Sequence, residues 1–139
     1  MHWITYALLS AVFAALVGIF GKVGIKGIDS TLATSVRAVV MAVFLVLVSL
    51  FLGKAKLLHT IENRVLLFIV LSGVSGAISW LFYFFALKTG PVSGVAALDR
   101  LSVVFVLILA ALFLGEHLTW KTGLGGALIT AGAVLMTLK

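Results

Sequence analysis

Gly90-Pro91-Val92-Ser93-Gly94-Val95-Ala96-Ala97-Leu98-Asp99-Arg100-Leu101-Ser102 runs directly into an uncharged stretch, Val103 to Gly115. Pro91 can open a helix, because its missing N–H falls where no intrahelical partner exists. From there to Leu114 the chain is long enough to cross a bilayer, which takes about 20 residues. Asp99 and Arg100 nevertheless sit inside this apolar run. A charge near mid-bilayer costs about 2.5–3.5 kcal/mol on insertion scales, so something must offset it.

The rest of the chain has the same character. Its 139 residues are 63% hydrophobic and 10% charged, far more apolar than a soluble domain of this size requires. The composition predicts an all-α membrane protein built as a single domain, residues 1–139. With no cysteine there is no disulfide framework and no thiolate metal site. His2, His59 and His117 fall at helix ends or in loops without metal-ligand spacing. The net charge of +6 is scattered between hydrophobic runs, as membrane-flanking anchors are, and does not indicate nucleic acid. Only Met1 and His2 precede Trp3, so a cleavable leader's basic segment is missing and the first apolar run reads as a retained helix.

Five crossings are expected. The first spans about Trp3 to Phe20, with Trp3 and Tyr6 suited to the membrane–water interface. A glycine-rich connection follows, ending in Asp29, Ser30 or Thr31 as N-cap. The second runs from Thr31 to Phe51 and carries Arg37, and the longest loop covers Gly53 to Arg64. The third spans Val65 to Leu87, the fourth is the opening stretch, and the fifth runs from Trp120 to Leu138. Five crossings put the termini on opposite sides. Lys54, Lys56, Arg64 and Lys121 then lie on the amino-terminal side, against Lys22, Lys26, Lys88 and Lys139 on the other. Orientation follows an excess of Lys and Arg in cytoplasmic loops. Here the loops balance, which leaves insertion both ways up open beside a single preferred topology.

The candidate chemistry is polar binding. Arg37 lies about 10 Å into its helix at 1.5 Å per residue, and Asp99 and Arg100 lie about as deep in theirs. Both helices leave from the same side, so the three charges can share one layer, with Asp99 accepting from Arg37. The competing reading is snorkelling of both arginines to the headgroups. Asp99 is too short for that and is the plausible carboxylate proton carrier. Ser72, Gly76, Ser79 and Tyr83 recur at i, i+4, i+7 and i+11, one helical stripe flanked by Ser75 and Trp80. Such a stripe faces protein or water rather than acyl chains; cavity lining and tight helix packing both satisfy that. Gly123, Ala127 and Ala131, with Gly126 and Thr130 beside them, form a small-residue surface suited to close helix contact. No nucleophile–base–acid set, phosphate loop or metal cluster supports catalysis. Gly21, Gly24 and Gly27 lie between membrane helices rather than after a soluble strand.

Several of these segments resemble one family. Trp80-Leu81-Phe82-Tyr83-Phe84-Phe85-Ala86-Leu87-Lys88 resembles the aromatic stretch ending in Ala-Leu-Lys of the EamA family, within the drug/metabolite transporter superfamily. Leu112-Phe113-Leu114-Gly115-Glu116-His117-Leu118-Thr119 resembles its Leu-Leu-Gly-Glu-x-Leu-Thr turn, and Gly125 to Met136 its closing helix. Ala33-Thr34-Ser35-Val36-Arg37 and Leu98-Asp99-Arg100-Leu101-Ser102 look like its half-size members. The resemblance implies one five-helix repeat of a pair enclosing a central cavity, hence an antiparallel homodimer in a prokaryotic plasma membrane. It implies transport of small metabolites without cofactor or metal; two arginines against one aspartate favour a polar substrate that is anionic or zwitterionic, such as an amino acid. Arg37, Asp99, Arg100, Ser72, Ser75, Ser79, Trp80 and Tyr83 are the expected substrate-binding residues. The related small multidrug resistance proteins carry a glutamate in helix one; this chain has none, which argues against proton-coupled export of cationic drugs. A non-transporting membrane subunit and a passive pore are the alternative readings.

Overall fold

The structure, a computed structural model, describes residues 3–138. Met1, His2 and Lys139, cited above for the leader, metal spacing and loop charge, lie outside the described residues. Among the described residues there are six α-helices and one 3₁₀ helix, with no strand. They are α1 (Trp3–Gly24), α2 (Ser30–Phe51), the 3₁₀ helix (Lys54–Thr60), α3 (Asn63–Thr89), α4 (Val92–Asp99), α5 (Ser102–Leu114) and α6 (Trp120–Leu135). Among the described residues four segments are long and apolar enough to cross a membrane: Trp3–Gly24, Ser30–Phe51, Asn63–Thr89 and Val92–Leu114. α6 has 16 residues and ends short of the Leu138 expected from the sequence. At 1.5 Å per residue it is about 24 Å long.

The Asp29–Ser30–Thr31 ambiguity resolves to Asp29. Its carboxylate accepts from the Thr31 and Leu32 N–H groups at 2.8 and 3.1 Å, satisfying donors that a helix start leaves orphaned. Ser30 is thereby the first residue of α2. The long loop contains the 3₁₀ helix, entered through Gly53 at φ 67°, a left-handed conformation that glycine adopts without steric cost. Gly115 does the same at the end of α5, at φ 67°, and the Glu116 N–H closes back on the Ala110 carbonyl at 3.2 Å. Thr119 and Thr122 then form a reciprocal cap for α6, with N–H to hydroxyl distances of 3.2 and 2.9 Å.

The fourth expected helix is two. Pro91 precedes α4 in extended conformation rather than opening it. At Arg100 and Leu101 the backbone tightens: the N–H groups of Arg100, Leu101, Val103 and Val104 each bond a carbonyl three residues back. Three residues per turn instead of 3.6 re-phase the side chains of α5 relative to those of α4.

The chain forms two compact units, one from the residues up to Phe20 with those from Thr89 onward, the other from Gly21–Lys88. In the first, α6 packs on both α4 and α5. A Cβ on Gly126 would stand 3.3 Å from Leu107 Cδ1, and one on Gly94 would stand 3.8 Å from Thr137 Cγ2. The packed face of α6 is therefore that of Gly126 and Ala133, both buried, whereas Gly123, Ala127 and Ala131 are exposed. In the second unit, Ile25, Ser30, Phe84 and Leu87 are buried, where the end of α1 and the start of α2 meet the end of α3. The Lys22 ammonium donates to the Leu87 carbonyl there, meeting one of the acceptors a helix C-terminus leaves open. Large apolar side chains elsewhere are mostly exposed, as suits a surface solvated by acyl chains.

Candidate functional site

Arg37 and Trp80 are brought together in the second unit. The Arg37 guanidinium carbon lies 3.6 Å from the centroid of the Trp80 ring and 5.6 Å from that of Phe84. The shorter distance is a stacking contact, in which the negative face of the indole attracts the cation. Trp80, Tyr83 and Phe84 share one face of α3 at i, i+3 and i+4. Their rings form a cluster, with Trp80 and Tyr83 edge to face at 5.3 Å and Phe84 6.2 Å from each. The small residue Gly21 brings the end of α1 against this cluster: a Cβ there would stand 3.3 Å from Phe84 Cζ.

The arginine is thus held by its flat face. Tyr83, next to Trp80 on α3, is also close enough to interact electrostatically with the guanidinium. A guanidinium has five donors in a planar fork suited to a carboxylate. In a membrane span such donors are costly unless acceptors meet them, so the edge of the guanidinium suits water or an anionic group.

The other expected residues are placed as follows. Tyr83 is half-buried beside Trp80. Ser72, Ser75 and Ser79 are exposed along α3, and the Ser75 hydroxyl donates back to the Leu71 carbonyl at 2.8 Å. That back-bond meets the needs of Ser75 inside its own helix. Asp99 and Arg100 belong to the first unit, at the junction of α4 and α5, and both are exposed.

Sequence reasoning missed Phe84 and the inward face of α2. Phe84 is one ring in a run of aromatics, and nothing in its spacing separates it from Phe82 or Phe85. The signal on α2 was present: Ser30, Thr34 and Arg37 recur at i, i+4 and i+7, the same spacing used to find the serine stripe on α3.

Comparison with known proteins agrees with this architecture. The family model for the EamA-like transporter family matches residues 1–138. The chain is 46% identical over 134 residues to a Sinorhizobium sp. protein described as an uncharacterized transporter in the cobO 3' region, a match spanning 96% of this chain and 95% of that protein. No solved structure matches. An all-helical chain with several apolar spans, matched by this family over nearly its whole length, belongs to the EamA-like transporter family.

Proposed function

We propose that the chain moves small polar metabolites, amino-acid-like or anionic, across a prokaryotic plasma membrane as an antiparallel homodimer. Membership of the family makes it a multi-pass membrane transporter and not an enzyme. The substrate class is carried by one observation: the guanidinium of Arg37, a cation inside an apolar span, is stacked against the Trp80 ring. A substrate carboxylate docked on its N–H edge would gain paired charge-assisted hydrogen bonds. The aromatic cluster beside it offers an apolar wall, and Ser72 and Ser79 further hydroxyls. Asp99 and Arg100, in the first unit, are separate substrate-binding candidates, Asp99 as a group able to carry a proton or receive a substrate amine. The balanced loop charge supports the antiparallel pairing, with α6 as a fifth crossing and residues 1–139 acting as one domain.

The test is reconstitution of the purified chain alone into proteoliposomes. Uptake is measured for a panel of amino acids, dicarboxylates and organic cations, with and without an opposing gradient. Carboxylates are expected to be taken up, and Arg37→Ala to abolish uptake while leaving the helical content intact. Uptake confined to cations, or full activity in Arg37→Ala, would falsify the assignment. Strictly downhill, non-saturating flux would instead identify a pore.

A further inference from the structure

Ser30 is completely buried, and its hydroxyl has no hydrogen-bond partner among the described residues. Hydroxyls inside membrane helices usually donate to the carbonyl one turn back. Thr34, Ser35, Ser75 and Thr130 all do so here, at 2.8–2.9 Å. Ser30 cannot, because it is the first residue of α2 and no helical carbonyl lies four residues before it. Its partner must come from outside the helix. A buried hydroxyl left unmet carries a real desolvation cost, and such sites are normally filled by water or a polar ligand group.

The position of Ser30 says where that group would come from. Ser30, Thr34 and Arg37 lie within about 60° of one another around α2, on one face. Each is buried or half-buried, whereas Thr31, Leu32, Ser35 and Val36 are exposed. Together they make a polar file running about 10 Å from the start of the helix to the guanidinium. Trp80, Phe84 and Leu87, at i, i+4 and i+7 on α3, supply an apolar wall within the same unit. At its outer end, Asp29 is close enough to Lys88 to feel its charge, and Lys22 is tied to the Leu87 carbonyl. That end, where Ser30 and Leu87 are both fully buried, is shut in this conformation.

We infer that the Ser30–Thr34–Arg37 face of α2 is the route by which water and small polar solutes reach Arg37 from the aqueous phase at the α1–α2 turn. Ser30 is the polar contact at its constriction. Opening the constriction hydrates the Ser30 hydroxyl, so the burial cost of that group in the shut state favours opening. This rests on the transporter reading above, and it adds the route and a residue that selects for hydrogen-bonding solutes.

The chain has no cysteine, so single-cysteine variants report one site each. Thr34→Cys and Leu32→Cys are compared in sealed vesicles for reaction with a charged, membrane-impermeant methanethiosulfonate. Leu32 lies nearer the helix end but is exposed on the outer face. Thr34→Cys is expected to react at least about tenfold faster, since a charged reagent follows water and not lipid. Ser30→Ala is expected to melt no lower than wild type, having lost only an unmet hydroxyl. Its uptake of the best-transported carboxylate falls about fivefold, the value of one recovered hydrogen bond. A merely structural serine would move stability and uptake together. Equal reactivity at the two cysteines, or wild-type uptake by Ser30→Ala, overturns the route. Uptake by the unmodified chain in the same vesicles judges the transporter reading separately, because labelling needs no substrate.

Discussion

Replacing Trp80 by alanine and Arg37 by methionine, singly and together, isolates the contact on which the proposed site is built. The guanidinium carbon is 3.6 Å from the Trp80 ring centre and 5.6 Å from that of Phe84, so Phe84 cannot take over the stack when Trp80 is lost. Cation–π contacts contribute about 0.5–1 kcal/mol at exposed sites and about 2 kcal/mol or more when desolvated. Both partners are half-buried, which puts the expected coupling at about 1–2 kcal/mol. The single substitutions also remove packing, and each therefore destabilises by an additional amount that the cycle subtracts. The assay is reversible unfolding of the detergent-solubilised chain in a denaturing-detergent titration, followed by far-UV circular dichroism because Trp80 fluorescence changes with the mutation. Arg37→Lys should recover only part of the coupling, since a compact ammonium cannot lie flat on the ring. If the double mutant equals the sum of the singles within about 0.5 kcal/mol, Arg37 is not held by Trp80 and the positioned-guanidinium site is wrong.

Two further outcomes are expected. Gly21→Leu pushes a branched side chain into space where a Cβ alone would stand 3.3 Å from Phe84 Cζ and 3.4 Å from Leu87 Cδ1. It should destabilise by about 1–3 kcal/mol in the same titration, and wild-type stability would mean that the α1–α3 contact is absent. The Leu32 and Thr31 N–H groups that donate to Asp29 hold its carboxyl below the usual carboxylate range. A folded value below the unfolded one means that the cap's contribution is complete above the unfolded value, about 3.9, and lost as pH falls through the folded value. Asp29→Asn keeps an acceptor but does not titrate, so the advantage of wild type over this variant in thermal melts should vanish in acid. A difference independent of pH would show that the carboxylate does not cap α2.

The sequence by itself determined the class of protein, the main spans and most of their ends. Those features follow from local quantities: the length of apolar runs, the capping residues Asp29 to Thr31 before the second span, and the turn from Gly115 to Thr119. It also pointed to Arg37, because a charge inside an apolar helix is conspicuous in one dimension. Only the tertiary structure decided what Arg37 rests on, since residues 37 and 80 meet through packing of separate helices and no spacing along the chain encodes that meeting. It likewise split the fourth helix at Arg100, where the change is in hydrogen-bond register and not in composition. On α6 it chose the Gly126 face over the Gly123 face, because two small-residue stripes on one helix look alike until a neighbour occupies one of them. And it made Ser30 distinctive: a serine at a helix start is ordinary in sequence, and its unmet hydroxyl exists only once tertiary packing has buried it completely.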